Sequence, residues 1–305
     1  MNPKLSILIV TWNSWDDLNR CLESIRQVDL SSDEMEIVVI DNGSVDDTVA
    51  CVQQRFPEVR LHVNETNLGL PPAVNQGLRL TRGEYILLLD VDTEVAAWTP
   101  IRLLEFMEQH TDIGMSAARI YTPEGSIEQS ARNLPSFTSA IFGRQSILRR
   151  WFPNNPFSRR YMLPENLDKQ EPFQIEQVSA ACMFMRRSVV ERAGPWDEGY
   201  RCYWIDSDWC ARLKSMGEKI FCVPAAQVTH YENNRAGKKK STWRIWHFHM
   251  GAYRLYRKYY TWGMLDPRAL FALVALTCRA GMMLVINAFV RDASGNSKAS
   301  QGNPA

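Results

Sequence analysis

The sequence predicts an α/β protein with a mostly parallel central sheet covered by helices. Three observations predict it. Short runs that are apolar throughout recur along the first ninety residues, segments with helical apolar spacing alternate with them, and polar residues gather just after each run. Strands without polar alternation need cover on both faces, which is the habit of parallel sheets. At 305 residues, 45% hydrophobic and 23% charged, the chain has room for a substantial core, and its composition excludes a disordered protein.

Leu5 to Val10 reads as the first buried strand, and Ser14 to Gln27 as a helix with apolar positions Leu18, Cys21, Leu22 and Ile25. The unit then repeats, with a strand at Glu36 to Ile40, a helix at Val45 to Gln54 and a strand at Val59 to Val63. Pro71 and Pro72 open the next helix, to about Leu80, where the missing N–H costs nothing. Tyr85 to Leu89 is the fourth strand. Beyond Ala118 the pattern loosens, and 121 to 175 reads as long loops with short helices. Order returns with a strand over Gln177 to Arg186, the segment Ser188 to Ala193, a helix from Asp206 to Met216 ended by Gly217, and a strand Lys219 to Val223 closed by Pro224. From Ser241 the chain is helical and aromatic, and Arg268 to Val290 is a second, apolar helix. The expected organisation is one domain over 1–235, C-terminal helices over 236–291 and a disordered tail over 292–305.

The formal net charge of +1 names no partner, but charge is unevenly spread. Between Arg235 and Arg268 stand Arg235, Lys238, Lys239, Lys240, Arg244, Arg254, Arg257, Lys258 and Arg268 against a single acid, Asp266. Seven scattered cysteines without a CxxC suggest neither a disulfide framework nor a zinc knuckle. The apolar run at the N-terminus is too short for a signal-peptide core, so a cytoplasmic protein is expected.

In open α/β sheets ligands lie at the carboxyl ends of the strands. There stand Thr11-Trp12-Asn13, Asp41-Asn42-Gly43-Ser44, Asn64 to Asn67, and Asp90-Val91-Asp92. In an extended segment residues i and i+2 point the same way, so Asp90 and Asp92 either face one hard cation such as Mg²⁺ or Mn²⁺ or form a solvated turn. No GxGxxG or GxxxxGK[ST] cradle for phosphates is present, a task a bridging cation would take over. Asp41 either caps its turn or accepts a hydrogen bond from a nucleobase N–H. His230 is either structural or a ligand, and His247 and His249, two apart on a helix, cannot share a metal.

Cys202 to Cys210, CYWIDSDWC, sets two carboxylates among large apolar side chains. Two residues along a helix lie about 200° apart, so Asp206 and Asp208 do not act side by side. Asp208 has Arg212 at i+4 as a structural partner, while Asp206, at the helix start, is free to work.

Ser6 to Asn13, Val39 to Ser44 with Asp47-Thr48, Asn67-Leu-Gly69 with Asn75-Gln-Gly77, Leu89 to Asp92 and Asp206 to Arg212 resemble, in order, the family 2 glycosyltransferases of GT-A fold. Cys182 to Arg187, Gly194 to Gly199 and Val223 to His230 resemble its rhamnosyltransferase-like branch. The likeness covers residues 4 to 232 and implies an inverting, metal-dependent transfer from a nucleotide-diphosphate sugar, dTDP-rhamnose being the lean, to a saccharide acceptor. It further implies donor contacts from Thr11, Trp12, Asn13, Asp41, Asn67 and Asp90, a metal on Asp92 and Asp90 with His230 beside it, and Asp206 as general base. Trp204, Trp209 and Asp208 are expected on the acceptor side. Ile205 stands where the family usually has Glu, and no QxxRW follows the base, the nearest string being Gln145 to Trp151, so transfer of one sugar or a few is expected.

Arg268 to Val290 has the length to span a bilayer, but Arg279 sits in its middle. With Trp243, Trp246, Tyr253, Tyr256, Tyr260 and Trp262 among basic residues, the helices suit a membrane interface, on the cytoplasmic face of the inner membrane, and a lipid-linked acceptor. Such a mixture also suits single-stranded nucleic acid, but nothing in the first 235 residues supports it and no nucleic-acid partner is expected. A non-catalytic subunit of an assembly complex is the alternative, opposed by the presence of Asp90, Asp92 and Asp206; a nucleotidyltransferase would want a basic loop where Thr11 to Ser14 has none.

Overall fold

The computed structural model describes residues 2–31, 33–136, 155–201, 203–231, 241–263 and 265–289. Lys238 to Lys240, Gln145 to Trp151, Cys202 and the tail from 292 lie outside them. The chain divides into two units, one of Met1–Asp197 with Asp206–Glu232 and one of Glu198–Ile205 with Asn233–Ala305. The sequence boundary near 235 did not foresee that 198–205 groups with the C-terminal helices.

The first unit is built on a nine-stranded sheet. In chain order its elements are β1 (Leu5–Thr11), α1 (Trp15–Ile25), β2 (Met35–Asp41), α2 (Thr48–Arg55), β3 (Arg60–Val63), α3 (Leu70–Leu80), β4 (Tyr85–Asp90), β5 (Thr93–Val95), α4 (Thr99–Gln109), β6 (Ile113–Tyr121), α5 (Pro156–Met162), β7 (Phe173–Ile175), β8 (Cys182–Arg186), α6 (Arg187–Ala193), α7 (Ile205–Ser215) and β9 (Lys219–His230). The strand order is β3-β2-β1-β4-β8-β6-β9-β5, with β7 on β9. β3, β2, β1 and β4 run parallel, as do β6 and β9, while β8 between β4 and β6 is antiparallel to both.

The apolar periodicity translates directly into packing. Leu18, Cys21, Leu22 and Ile25 of α1 are fully buried in one cluster with Leu5, Ile7 and Ile9 of β1. α3 comes close to β1 at Gly77, where a Cβ would stand 2.2 Å from Leu8 Cδ1. A larger residue there would force the Leu8 side chain to move.

Several boundaries differ from the sequence reading. α2 begins at Thr48 because Val45, 90% exposed, gives its amide to Asn13 Oδ1 at 2.8 Å instead of entering a helix. β8 occupies only Cys182–Arg186; Gln177 forms an isolated bridge with Arg132. Pro224 does not close β9. Val223 pairs with Ala118 and Gln227 with Arg119, so Pro224 falls in an irregularity where no ladder N–H is asked of it, and the strand continues to His230. α4, β5 and β6 were not read at all: β6, Ile113–Tyr121, mixes Ser, Ala and Arg with apolar residues, yet eight of its nine positions are buried.

In the second unit α8 (Thr242–Tyr260) packs on α9 (Pro267–Phe289). Ile245, His249 and Leu255 of α8, and Ala269, Ala272, Leu276 and Ala280 of α9, are buried. Trp204 joins α8 by donating Nε1–H to the Phe248 carbonyl at 2.8 Å, beside Gly251, whose Cβ would stand 2.9 Å from the Trp204 ring. The other face of α9 is open: Leu270, Phe271, Val274, Met282, Val285 and Ile286 are all more than half exposed.

Candidate active site

Strand register assembles the site. Thr11 pairs with Asp41 and Val10 with Asp90, so the carboxyl ends of β2, β1 and β4 present their polar residues in one row. Asp41 and Thr11 are buried, at 0% and 1% exposure. Asp41 Oδ2 accepts the Ser44 amide at 2.9 Å, and its Oδ1 and Thr11 Oγ1 have no hydrogen-bond partner among the described residues. One Asp41 oxygen therefore caps the turn, as one of the two sequence readings expects, and the other is left without a partner among the described residues. Gly43, at φ 79°, is required here, since a Cβ would stand 2.6 Å from the Thr66 carbonyl carbon.

Asn13, at φ 48°, ties this row together, its amide donating to Ser44 Oγ at 2.8 Å and its Oδ1 accepting from Val45. Trp12 beside it is 41% exposed. Asn67 is committed to the local turn: its Oδ1 accepts from Asn42 Nδ2 at 3.0 Å and from the Gly69 amide at 2.9 Å.

Asp92 follows β4 and precedes β5. Thr93 pairs with His230, and the Asp92 carbonyl accepts the Tyr231 amide at 2.8 Å, which sets Asp92 beside the end of β9. Asp90, Asp92 and His230 offer ligand atoms all within 4.8 Å of one another. Two carboxylates and an imidazole suit a divalent cation in chemistry and spacing. His230 Nε2 lies 3.2 Å from Asp92 Oδ1 and Nδ1 3.0 Å from Glu128 Oε2.

Electrostatics confirms how acidic this corner is. Burial pushes the Asp90 carboxyl up to about 7, and Asp92, Asp206 and Glu128 add to the rise while His230 opposes it. Burial would lower the His230 imidazole, but its hydrogen bonds to Asp92 and Glu128 outweigh that and hold it up at about 10. The excess of acid is what a bound cation would relieve.

Asp206 is the second residue of α7 and accepts the Ser207 amide at 2.8 Å. Burial raises its carboxyl above the usual range, with the Arg132 charge and then the Ser207 amide pulling the other way. Asp208, 1% exposed, pairs with Arg212 at 3.3 Å, and Arg212 also donates to the carbonyls of Ala193 and Pro195. Trp209, also 1% exposed, packs against Trp196 with ring centroids 6.2 Å apart. Asp208 and Trp209, expected on the acceptor side, are thus closed to solvent and committed to Arg212 and Trp196. Trp204 belongs to the second unit.

Three residues near the acids escaped the sequence reading: Glu128, Arg132 and Gln177. Glu128 reaches His230 from the chain returning after β6. Arg132 exchanges backbone hydrogen bonds with Gln177 at 3.1 and 2.9 Å, and the Arg132 charge acts on Asp206. No motif announces them, because loop pairings across 45 residues leave no periodic trace.

The family model described as glycosyl transferase family 2 matches residues 6–194. The chain is 28% identical over 249 residues to N-acetylglucosaminyl-diphospho-decaprenol L-rhamnosyltransferase of Mycobacterium tuberculosis, covering 78% of this chain and 79% of that one. Among solved structures it is similar to GalNAc-T7 with UDP, GalNAc and Mn²⁺, with a TM-score of 0.62 at 17% identity over 84% of this chain and 48% of the other. It is also similar to a mannosyltransferase from Pyrobaculum calidifontis in complex with GDP-Man and Mn²⁺, with a TM-score of 0.57 at 18% identity, covering 94% and 74%. The fold is that of the GT-A glycosyltransferases.

Proposed function

The chain belongs to glycosyl transferase family 2, and on that premise we propose that it moves a sugar, rhamnose by preference, from a nucleoside diphosphate to a lipid-linked saccharide with inversion, as a step in cell-surface polysaccharide synthesis. The observation that carries the mechanism is Asp206, a carboxylate of raised proton affinity at the start of α7 and electrostatically coupled to Asp90. Asp206 takes the proton of the acceptor hydroxyl as the oxygen attacks the anomeric carbon. The bond from that carbon to the diphosphate breaks on the opposite side, and the nucleoside diphosphate leaves with the electron pair. A single displacement inverts the centre. Asp90, Asp92 and His230 would hold a divalent cation, for which an imidazole among the donors favours Mn²⁺ over Mg²⁺. When bound, it neutralises charge on the leaving diphosphate, so no general acid is required. Thr11 Oγ1 and Asp41 Oδ1 receive the base of the nucleotide, with Trp12 and Asn13 alongside. The named relative, which acts on a decaprenyl diphosphate-linked sugar, supports both the rhamnose donor and the lipid-linked acceptor.

The second unit fits a peripheral role on an anionic membrane surface. α9 is long and apolar enough to cross a bilayer, but Arg279 sits in mid-helix. Arg268 and Arg279 are eleven residues apart, about three turns, and so share one flank of the exposed apolar face. That arrangement suits a helix lying in the interface with its cations at headgroup level. Basic Arg244, Arg257 and Lys258 on α8, without an acid on either helix, support the choice of anionic lipid.

A thermal-shift screen of nucleotide sugars with Mn²⁺ tests the donor. A ligand at 100 times its Kd stabilises by about 2.7 kcal/mol, so dTDP-rhamnose is expected to raise Tm by several degrees and to lose that effect on chelation. A chain that no nucleotide sugar stabilises refutes the reading.

A further inference from the structure

Glu128 takes no part in the chemistry above, yet it holds the one imidazole at the cation site. Its Oε2 accepts from His230 Nδ1 at 3.0 Å, on the far side of the ring from Nε2, which faces Asp92 Oδ1 at 3.2 Å. Both side chains are nearly closed to solvent, His230 at 10% and Glu128 at 12% exposure.

The placement is built into the backbone. β6 runs beside β9 so that Tyr121 pairs with Thr229, one residue before His230. The chain then turns through Thr122 to Ser126, with Gly125 at φ 81°, and returns along β6. Tyr121 bridges Ile127, and the Glu128 amide donates to the Ile120 carbonyl at 2.8 Å. This return carries the carboxylate to the ring edge opposite the two aspartates.

We propose that Glu128 is a positioning residue: by accepting the His230 Nδ1–H it fixes the ring so that Nε2 alone faces the cation shared with Asp90 and Asp92. An imidazole with one nitrogen engaged by a carboxylate is locked in orientation, and the other nitrogen becomes a better donor to metal. Loss of such an outer partner costs roughly 10–100-fold in metal affinity. A merely structural ion pair would stabilise the fold and leave metal affinity alone. The inference rests on the cation reading of the site, and the test separates the two.

Mn²⁺ alone is titrated into the full chain and the free ion is followed by electron paramagnetic resonance, in the wild type, Glu128→Ala, Glu128→Gln, His230→Ala and the Glu128→Ala/His230→Ala double variant, with Tm recorded for each. Glu128→Ala is expected to weaken Mn²⁺ binding roughly 10–100-fold. Glu128→Gln, whose carbonyl still accepts Nδ1–H, is expected to fall between wild type and Ala with Tm unchanged. The double variant is expected to bind no more weakly than His230→Ala, because Glu128 acts through the ring. Wild-type affinity in Glu128→Ala, or in Glu128→Gln should the Ala variant not fold, overturns the role of Glu128. Independent, additive losses in the double variant overturn it too. A wild type that does not bind Mn²⁺ overturns the cation reading beneath it.

Discussion

The sheet-bearing unit and the helical pair of the second unit stand apart in what each presents: polar groups gathered at strand ends in one, a continuous apolar helix face in the other. In the first, polar groups stand at the strand ends: Asp41 Oδ1 and Thr11 Oγ1 lack partners among the described residues, and the acids around Asp90 crowd one corner. In the second, α9 turns small residues inward at Ala269, Ala272 and Ala280 and leaves Leu270, Phe271, Val274, Met282, Val285 and Ile286 in the open. Buried polar atoms without partners and exposed apolar faces both cost free energy in water. The proposed function completes each region with a partner of its own chemistry, a charged nucleotide with its cation in one case and lipid in the other.

That contrast is broken most severely at the acid corner. Asp92→Ala, or chelation of divalent cations, removes several kcal/mol of charge stabilisation from the leaving diphosphate, and a loss of at least about 10³-fold in transfer rate is expected from about 4 kcal/mol. Steady-state turnover before and after chelation measures it; full activity without divalent cation would separate the acids from the chemistry.

The two acids of CYWIDSDWC sharpen the comparison within a single helix. Asp208→Ala strips the partner from a pair with Asp208 1% exposed, and is expected to destabilise by about 3 kcal/mol, since removing one member of a buried pair leaves the other uncompensated. Asp206→Asn removes a charge that burial disfavours, so its Tm is expected to hold or rise. Thermal melts of both variants decide; a fall in Asp206→Asn equal to that of Asp208→Ala would make both structural.

At the lipid end, Phe271→Glu is expected to reduce flotation with anionic liposomes roughly 10–100-fold, the loss of about 1.5–3 kcal/mol of apolar burial, while nucleotide-sugar binding stays unchanged. Equal flotation of variant and wild type would leave the exposed face unexplained by lipid.

The smallest effect is pH dependence without metal. The Asp90 pKa is raised from 3.8 to about 7, so its favourable contribution is complete below 3.8 and is lost as pH rises to about 7. His230, raised from 6.5 to about 10, contributes below 6.5 and loses that contribution toward 10. Tm of the metal-free chain is therefore expected to decline across both windows from these groups, less steeply in the lower one for Asp90→Asn. Mn²⁺ should flatten the decline.

What was legible in the sequence follows the same division. Apolar spacing exposes α1, β1, β2 and β4, because burial on both faces leaves a continuous apolar record, and Asp41, Asp90 and Asp92 are visible as polar residues at strand ends. Asp206 emerges once helical geometry separates it from Asp208. Glu128, Arg132 and Gln177 were illegible because register and loop pairing bring them to the site. Pro224 misled because a proline can sit in a strand wherever the partner ladder slips. Trp209 was expected on the acceptor side as an aromatic beside Asp206, and in the fold it packs against Trp196.

The central claim is that Asp206 takes the acceptor's proton in sugar transfer. The direct measurement is the transfer rate of wild type and Asp206→Asn with Mn²⁺, dTDP-rhamnose and a polyprenyl diphosphate-linked N-acetylglucosamine acceptor, with donor affinity determined in parallel. A fall of roughly 10²–10⁴-fold with donor affinity unchanged is predicted; an unchanged rate would contradict it.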